Sequence, residues 1–469
     1  MSKAYFIGIA GKATAEIAKA LRDDLGWEVS GSDEPFGPPA TDYLAANHLA
    51  FKTPYQAENV PADADLVVVG GGALTSNPNN PEYLRARDLG LRIVSYPQLL
   101  EKYLIKKNSI VVVGTYGKTT ITALLAWILQ KAGFDPSFMI GGFPKNFADG
   151  VKFSNSDYSV VEGDEHPTLN FDPRPKFAFY HPTQLLLTSA LWDHYNVYKT
   201  EPEYVKIFQE LVTNLPASGR LIASVDGENI SQVLPLAKCQ VVTYSVKTKA
   251  DWTVSGLHFG EKTTTFAVNG PGGEKIELET SQIGLASVIN ILGAVAMARS
   301  LGVEPLKIQE AVRSFEGVKE RLEIVGESGG VTLVRDFAHS PIKIKTAIEA
   351  LRTRFLKDTS KILVVLDLHS TVLRDKTSLP ALKESLVEAD AVALLKIKSS
   401  PNIPEEKRVL AKDLLHYLPQ PGLTVRYCPN VEQLKDFAKS FLKSHDVIIF
   451  MSSGEVSREI EAVRNAILV

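Results

Sequence analysis

The sequence predicts an α/β protein of three domains, and three observations carry that expectation. Apolar, β-branched runs of strand length alternate with segments of helical period along the 469 residues. The alternation restarts near Ala4, Ile110 and Val318, so three separate sheets are expected. In the second restart, IVVVGTYGKTTITALLAWILQKAG, a strand-like run meets Gly-Lys-Thr and then a helical pattern. A chain of this length has ample core for two to four domains.

Composition narrows the class. Hydrophobic residues at 45% and charged residues at 22% describe globular protein, not disorder. The 51 basic and 54 acidic residues leave a net charge of −3, which supplies no nucleic-acid footprint. Cys239 and Cys428 are far apart and lack metal-ligand spacing, so reduced, structural thiols are expected. The N-terminal MSKAYFIGIAGKATAEIAKAL lacks the features of a signal peptide, and no apolar stretch reaches membrane-spanning length. A cytoplasmic protein without a membrane span is expected, either a monomer or a weak homo-oligomer.

The first unit opens with strand AYFIGIAG, a helix from about Thr14 to Leu25, and strand EVSGSDEP. Strand, glycine turn, helix, strand and acid in that order make the first half of a nucleotide-binding fold. Gly8-Ile9-Ala10-Gly11 holds only part of the usual glycine fingerprint. Asp33 either accepts ribose or base hydrogen bonds or closes the turn after Gly31 and Ser32. A further strand, ADLVVVGGGALTSNP, ends in a glycine-rich loop where a ligand can meet backbone amides.

The second unit begins with GTYGKT, two residues shorter than the common phosphate-binding loop. Ile121, Leu124, Leu125, Ile128 and Leu129 fall on one helical face, and Gly133 marks the helix end. Gly114 and Gly117 leave room for phosphate oxygens at backbone N–H groups, beside the positive end of the helix. Lys118 is the mobile cation for the outer phosphates, and the Thr119 hydroxyl is offered to magnesium. The plain alternative is a strand–turn–helix with an exposed lysine. The coincidence of strand, glycines, Lys-Thr and helix favours phosphate.

Two more strand ends follow, YSVVEGDEHPT and QLLLTSALWDHYNVY. Ligands of open α/β sheets collect at such carboxyl ends. Lys118, Thr119, Glu162 and His194 are therefore expected around MgATP. Magnesium prefers oxygen, so His194 is either a ligand or the orienter of a water. QVVTYSV, DWTVSGLHFG, KTTTFAVNGPGG and EKIELETS read as an antiparallel β insertion. In the next helix, ASVINILGAVAMARSLG, Asn290 is the polar residue placed to meet a base.

The third unit alternates GVTLVRDFAHS, KILVVLDLHS, DAVALLKI, LTVRYC and HDVIIFMSSG with helical stretches, again a parallel sheet. Asp336 and His339 follow one strand, and Asp367 and His369 follow the next.

Taken in order, Gly114-Thr115-Tyr116-Gly117-Lys118-Thr119, Glu162-Gly163-Asp164-Glu165, Asp193-His194, Lys319-Glu320-Arg321-Leu322-Glu323 and Asp336-Phe337-Ala338-His339-Ser340-Pro341 resemble the motifs of the Mur ligases. These are ATP-dependent, amide-forming ligases of bacterial cell-wall synthesis. The resemblance covers essentially the whole chain. FIGIAG, GSD and GGALTSNPNNPE look like the UDP-binding domain of the branch that takes UDP-N-acetylmuramate. It implies a Rossmann-like UDP-binding domain at 1–106 and a P-loop ATPase-type parallel sheet with a β insertion at 107–317. A Rossmann-like domain for the amino substrate fills 318–469.

PRPKFAFYHPTQLLLTSALWDHYNVY looks most like the recycling branch, which joins UDP-N-acetylmuramate to the murein tripeptide L-alanyl-γ-D-glutamyl-meso-diaminopimelate. The runner-up amino substrate is L-alanine, and a catalytically silent UDP-sugar binder or a generic nucleotide hydrolase or kinase are the rival classes.

The resemblance also implies roles. Gly114, Thr115, Tyr116, Gly117, Lys118, Thr119 and Thr120 would hold ATP phosphates, and Thr119, Glu162 and His194 would hold magnesium. Asn290 would meet adenine, Arg321 the phosphates and Asp336 the ribose. Gly8, Gly11, Ser32, Asp33, Ala73 and Thr75 would line the UDP-sugar site. His369, Ser370 and Arg374 lie where the recycling branch meets its peptide, and His339 or His194 would take the amine's proton. The chain departs from the family at Tyr116, Asn196, Ala286, Ser287 and Ser340, where His, Asp, His, Asn and His are usual.

Overall fold

The β-branched runs form three sheets in the computed structural model, which describes residues 1–37, 40–169, 172–194, 197–355, 360–398 and 403–467. The chain divides into two units. One is Met1–Gly256 with Phe266–Leu278 and Ile289–Glu316, and the other is Leu257–Thr265 with Glu279–Val288 and Gly317–Val469.

In the first unit, five parallel strands run in the order Ala50–Lys52, Glu28–Ser32, Lys3–Ile7, Leu66–Val69 and Ile93–Ser95. Lys3–Ile7 is central because its residues from Ala4 onward are apolar and buried on both faces. Helix Lys12–Leu25 buries Ile17, Ala18 and Leu21 and stops at Gly26, whose φ of 70° is the left-handed cap that glycine allows. Strand order reverses beside Lys3–Ile7, so the Gly8 and Gly70 turns open on the crevice where such sheets take ligands. The GGALTS segment, expected as a loop, is instead a short helix, Gly71–Ser76. Its first turn starts on three consecutive glycines, which hide the helical period from the sequence.

The second sheet places strand Asn108–Val113 between Tyr158–Glu162 and Gln184–Leu187, all parallel. Arg220–Ser224 and Gln240–Ser245 continue it in parallel, and Trp252–Phe259 begins parallel beside them. QVVTYSV is therefore part of the parallel sheet and not of an antiparallel insertion. Its start is exposed and only Tyr244 and Ser245 are buried, so its mixed pattern mimics a two-sided strand. Helix Lys118–Lys131 buries Ile121, Leu124, Leu125, Ile128 and Leu129, the expected face.

The second unit holds a six-stranded sheet in the order Glu323–Ser328, Val331–Asp336, Val447–Met451, Ile362–Leu366, Ala391–Leu394 and Thr424–Tyr427. Only the first pairing is antiparallel. The other five strands are those expected. Among the described residues no helix is long and apolar enough to cross a membrane.

Within the first unit, Glu16 of helix Lys12–Leu25 is buried, and one of its oxygens accepts the Gly150 N–H at 3.0 Å. Its other oxygen has no hydrogen-bond partner among the described residues. Burial pushes the carboxyl up to about 7, with Lys12, Asp149 and Lys19 as the charges that face it. Between the ordinary 4.5 and about 7 the folded chain holds this proton more tightly than the unfolded chain. Stability therefore falls as pH rises through that window, by up to about 3 kcal/mol. Urea denaturation should show a midpoint lower at pH 8 than at pH 5, and Glu16→Gln should flatten the difference. A Glu16→Gln protein with the same pH slope as wild type would refute the assignment.

Candidate functional site

The register of the central sheet builds the site. Val112 pairs with Glu162 and Val113 with Leu187, so three strands end side by side and their loops leave from one edge. Gly114 has φ 123°, and a Cβ there would lie 2.2 Å from Thr188 Oγ1. Gly117 has φ 80°, and a Cβ there would lie 2.4 Å from Asn290 Oδ1. Only glycine fits both positions, which leaves the loop backbone bare toward a phosphate. Thr115 Oγ1 donates to Leu191 O at 2.6 Å, and Thr188 Oγ1 donates to Tyr116 O at 2.7 Å, fixing the loop to the third strand end. The Tyr116 hydroxyl donates to the Glu228 carboxylate. Thr120 occupies the first turn of the following helix, half-buried.

Lys118 Nζ donates to Gly114 O at 2.6 Å and to Glu165 Oε1 and Oε2 at 3.1 and 2.9 Å. Glu165 is 1% exposed, and its Oε1 also lies 3.0 Å from His194 Nε2 and accepts the Tyr204 hydroxyl at 3.2 Å. Burial opposes the Lys118 charge, but Glu165 outweighs it and holds the lysine above its ordinary pKa. Burial likewise opposes the Glu165 charge, and Lys118 and then His194 overcome it and bring the carboxyl to about 2. The stability of this pair is therefore present above the ordinary carboxylate pKa of 4.5 and is lost only as pH falls toward about 2.

Thr119 Oγ1 donates to Glu162 Oε1 at 3.0 Å, and Glu162 Oε2 accepts the Gly141 N–H at 2.7 Å. A hydroxyl and a carboxylate together are hard oxygen donors, the set magnesium takes when phosphates and waters complete its shell. Among the described residues no group of three or more His, Cys, Asp or Glu could hold a metal ion alone. His194 is in the left-handed region at φ 56°, and its ring centre lies 3.9 Å from that of His166. His166 Nδ1 in turn lies 2.9 Å from Asp164 Oδ1. Lys118, Thr119, Glu162, His194 and Asn290 thus stand around one loop. Asn196 lies outside the described residues.

Around the first sheet, the Gly8 and Ile9 N–H groups donate to Ser32 O at 2.9 and 3.0 Å. Asp33 accepts the Ala10 N–H at 2.8 Å and the Tyr55 hydroxyl at 2.8 Å, so it shapes the Gly8–Gly11 turn. Ala73 lies close enough that a Cβ on Gly8 would meet its own at 3.4 Å. The Ser32 side chain is buried and donates to Glu82, so only its backbone borders the turn. Thr75 is exposed at the end of its short helix.

In the second unit, Asp336 accepts the Leu322 N–H and the Ala338 N–H, both at 2.8 Å. Arg321 Cζ lies 4.6 Å from the centre of the Phe337 ring. His339 Nδ1 lies 3.0 Å from Phe337 O, and Ser370 Oγ donates to His339 O at 2.6 Å. Arg374 donates to His369 O, and Asp367 accepts the Ser452 hydroxyl at 2.7 Å. His339, His369, Ser370 and Arg374 are therefore one cluster at the carboxyl edge of that sheet. Glu165 is the residue whose role sequence reading missed. The sequence shows it only as one acid of Glu162-Gly163-Asp164-Glu165, shortly after the strand, with nothing in the spacing to name its partners.

Comparison with known proteins decides the family. The pattern described as Mur ligase middle domain matches residues 112–298, Mur ligase, glutamate ligase domain matches 320–454, and Mur ligase family, catalytic domain matches 3–107. The UDP-N-acetylmuramate–L-alanyl-γ-D-glutamyl-meso-2,6-diaminoheptandioate ligase of Escherichia coli is 31% identical over 96% of this chain and 95% of its own. The chain belongs to the Mur ligase family. The UDP-N-acetylmuramate–L-alanine ligase of Desulforamulus reducens is 29% identical over 97% of this chain and 95% of its own. The crystal structure of the UDP-N-acetylmuramate–alanine ligase of Thermotoga maritima shares the fold, with a TM-score of 0.78 at 23% identity over 99% of this chain and 98% of that one. As a Mur ligase, this protein is an ATP-dependent ligase that forms an amide bond in the peptidoglycan pathway.

Lys118→Ala should lower turnover about a hundredfold or more, the typical loss of one charge-stabilising donor. Glu165→Gln keeps the shape but leaves the half-buried Lys118 without its counterion, at a cost of up to about 3 kcal/mol. Thermal melting should register that loss, and an unchanged melting temperature would show that the pair does not hold the site together.

Proposed function

We propose that this Mur ligase joins the lactyl carboxylate of UDP-N-acetylmuramate to the amine of L-alanyl-γ-D-glutamyl-meso-diaminopimelate, using ATP and magnesium. The observation that carries the reading is the grouping of Lys118, Thr119, Glu162 and His194 on the edge where three parallel strands end. The tripeptide is supported by the likeness of residues 173–198 to the recycling branch and by the Escherichia coli relative. A second reading, L-alanine as the amino substrate, is favoured by the Desulforamulus relative. In either case residues 1–106 take the UDP-sugar, 107–317 take ATP and 318–469 take the amine.

A carboxylate is a poor acyl donor, because its leaving group would be oxide. Transfer of the γ-phosphoryl group gives an acyl phosphate, whose leaving group is inorganic phosphate. The chain's work is then positioning and charge stabilisation. Lys118 leaves Glu165 to meet the transferred group, and Arg321 adds a second cation. Magnesium held by Thr119 and Glu162, with His194 as ligand or water-orienter, supplies further neutralisation when bound. The incoming amine must be neutral, and a free α-amino group titrates near pH ~8, so only modest proton removal is needed. His339 or His194 takes that proton. His369, Ser370 and Arg374 border the amine.

Phosphate release from MgATP with UDP-N-acetylmuramate, in the presence of tripeptide or of L-alanine, tests the reading. Release that requires both the sugar nucleotide and the tripeptide, with the mass of the new amide, is the expected outcome. Release with L-alanine alone would assign the second reading. No stimulation by either amine would leave a silent UDP-sugar binder.

A further inference from the structure

The segment entering the C-terminal sheet holds two non-glycine residues in the left-handed region, Glu320 at φ 63° and Leu322 at φ 44°. A bulky side chain such as Leu322 adopts that conformation only where surrounding contacts impose it. Three contacts do so here. Glu320 O accepts the Phe337 N–H at 2.8 Å, Asp336 accepts the Leu322 N–H at 2.8 Å, and Arg335 Nη2 lies 2.8 Å from Glu320 Oε1. Arg321 stands between the two strained residues, its Cζ 4.6 Å from the centre of the Phe337 ring.

Arg335 is itself buried, on strand Val331–Asp336 beside Phe450 of the neighbouring strand. Its remaining contacts are to Gly454 O and Ser457 Oγ, each at 3.3 Å, and to Glu455 at 3.8 Å. Its Nε has no partner among the described residues. A buried guanidinium with a donor unmet is an expensive way to stabilise a sheet, and an apolar side chain would fill a strand position at lower cost. Of the polar contacts that an apolar residue could not make, the 2.8 Å ion pair to Glu320 is the shortest.

We infer that the Arg335–Glu320 ion pair is a positioning device: it holds the strained 320–322 turn so that the Arg321 guanidinium is presented in one orientation for nucleotide phosphates. The inference rests on Arg321 as the phosphate-binding arginine of the proposed reaction. Neither Arg335 nor Glu320 needs to touch a substrate. Without the pair the turn relaxes toward ordinary backbone conformations, and Arg321 samples many orientations instead of one.

The test is a mutant cycle on the full chain, with ATP affinity read by fluorescent-nucleotide displacement and by KM. Arg335→Gln should raise the KM for ATP about tenfold, the loss of one oriented charge-assisted contact, while the KM for UDP-N-acetylmuramate stays within about twofold. Arg321→Ala should weaken ATP similarly, and adding Arg335→Gln to it should weaken ATP no further. The reversed pair, Glu320→Arg with Arg335→Glu, should recover most of the lost affinity, which also serves if Arg335→Gln alone fails to fold. Additive losses, no recovery by the reversed pair, or a fall in kcat with ATP affinity intact would each overturn the inference. ATP affinity unchanged by Arg321→Ala would overturn it too. Displacement needs no turnover, so that result is separable from failure of the amine assignment.

Discussion

Everything in the central site depends on the register of three parallel strands. Asn108–Val113 ends level with Tyr158–Glu162 and Gln184–Leu187, so the phosphate loop, the acidic turn and the Asp193-His194 loop leave the sheet together. A shift of one residue in either pairing would turn alternate side chains to the opposite face. Glu162 would then leave Thr119, and Thr188 would leave the carbonyl of Tyr116. Buried valines and leucines on both faces of all three strands hold that register, so packing in the core sets distances at the site.

The charges gathered there then need a neutral arrangement of their own. A lysine buried beside a phosphate loop would be costly without a partner, and Glu165 supplies one from the second strand end. The same carboxylate takes the imidazole of His194 and the hydroxyl of Tyr204, so one acid ties all three loops. Nucleotide phosphates would offer Lys118 a second anion at the same depth. In the proposed reaction the lysine would exchange one anion for another, while Glu165 would retain His194 and Tyr204.

Most of the architecture was legible because the chain is locally consistent. Three strands of the first sheet, five of the third and helix Lys118–Lys131 follow from apolar period and glycine placement, whereas Ala50–Lys52, Ile93–Ser95 and Glu323–Ser328 carry no such signal. Two misreadings have one cause. Gly71–Ser76 and Gln240–Ser245 are short, partly exposed elements, and their residue patterns report solvent more than partner strands. At the site, motif spacing named the loop, Glu162 and His194, because each lies at or beyond the carboxyl end of a strand. The role of Glu165 was not legible, since an acid in a turn has no period. Its three side-chain partners, Lys118, His194 and Tyr204, come from segments up to 47 positions distant, which only the fold brings near. The Arg335–Glu320 pair was hidden in the same way, between a strand and a turn.

The departures from the family pattern fall where the fold supplies a local substitute. Tyr116 replaces a histidine at the tip of the phosphate loop, yet its hydroxyl is held by Glu228 and its carbonyl by Thr188. Burial, and then Glu228, pushes the phenol above its ordinary pKa, so it stays a neutral donor. Ser287 turns its hydroxyl back to the carbonyl of Ile283 at 2.7 Å, a local bond at the start of its helix. Asn290, one turn further along, keeps its amide oxygen against Gly117. Ser340 is buried with its hydroxyl unpartnered among the described residues, but its backbone serves as the cap of helix Pro341–Arg354, and the adjoining His339 is held through Ser370. Thr119 meets Glu162, and Lys118 and His194 meet on Glu165, so the departures leave the charges of the phosphate loop paired.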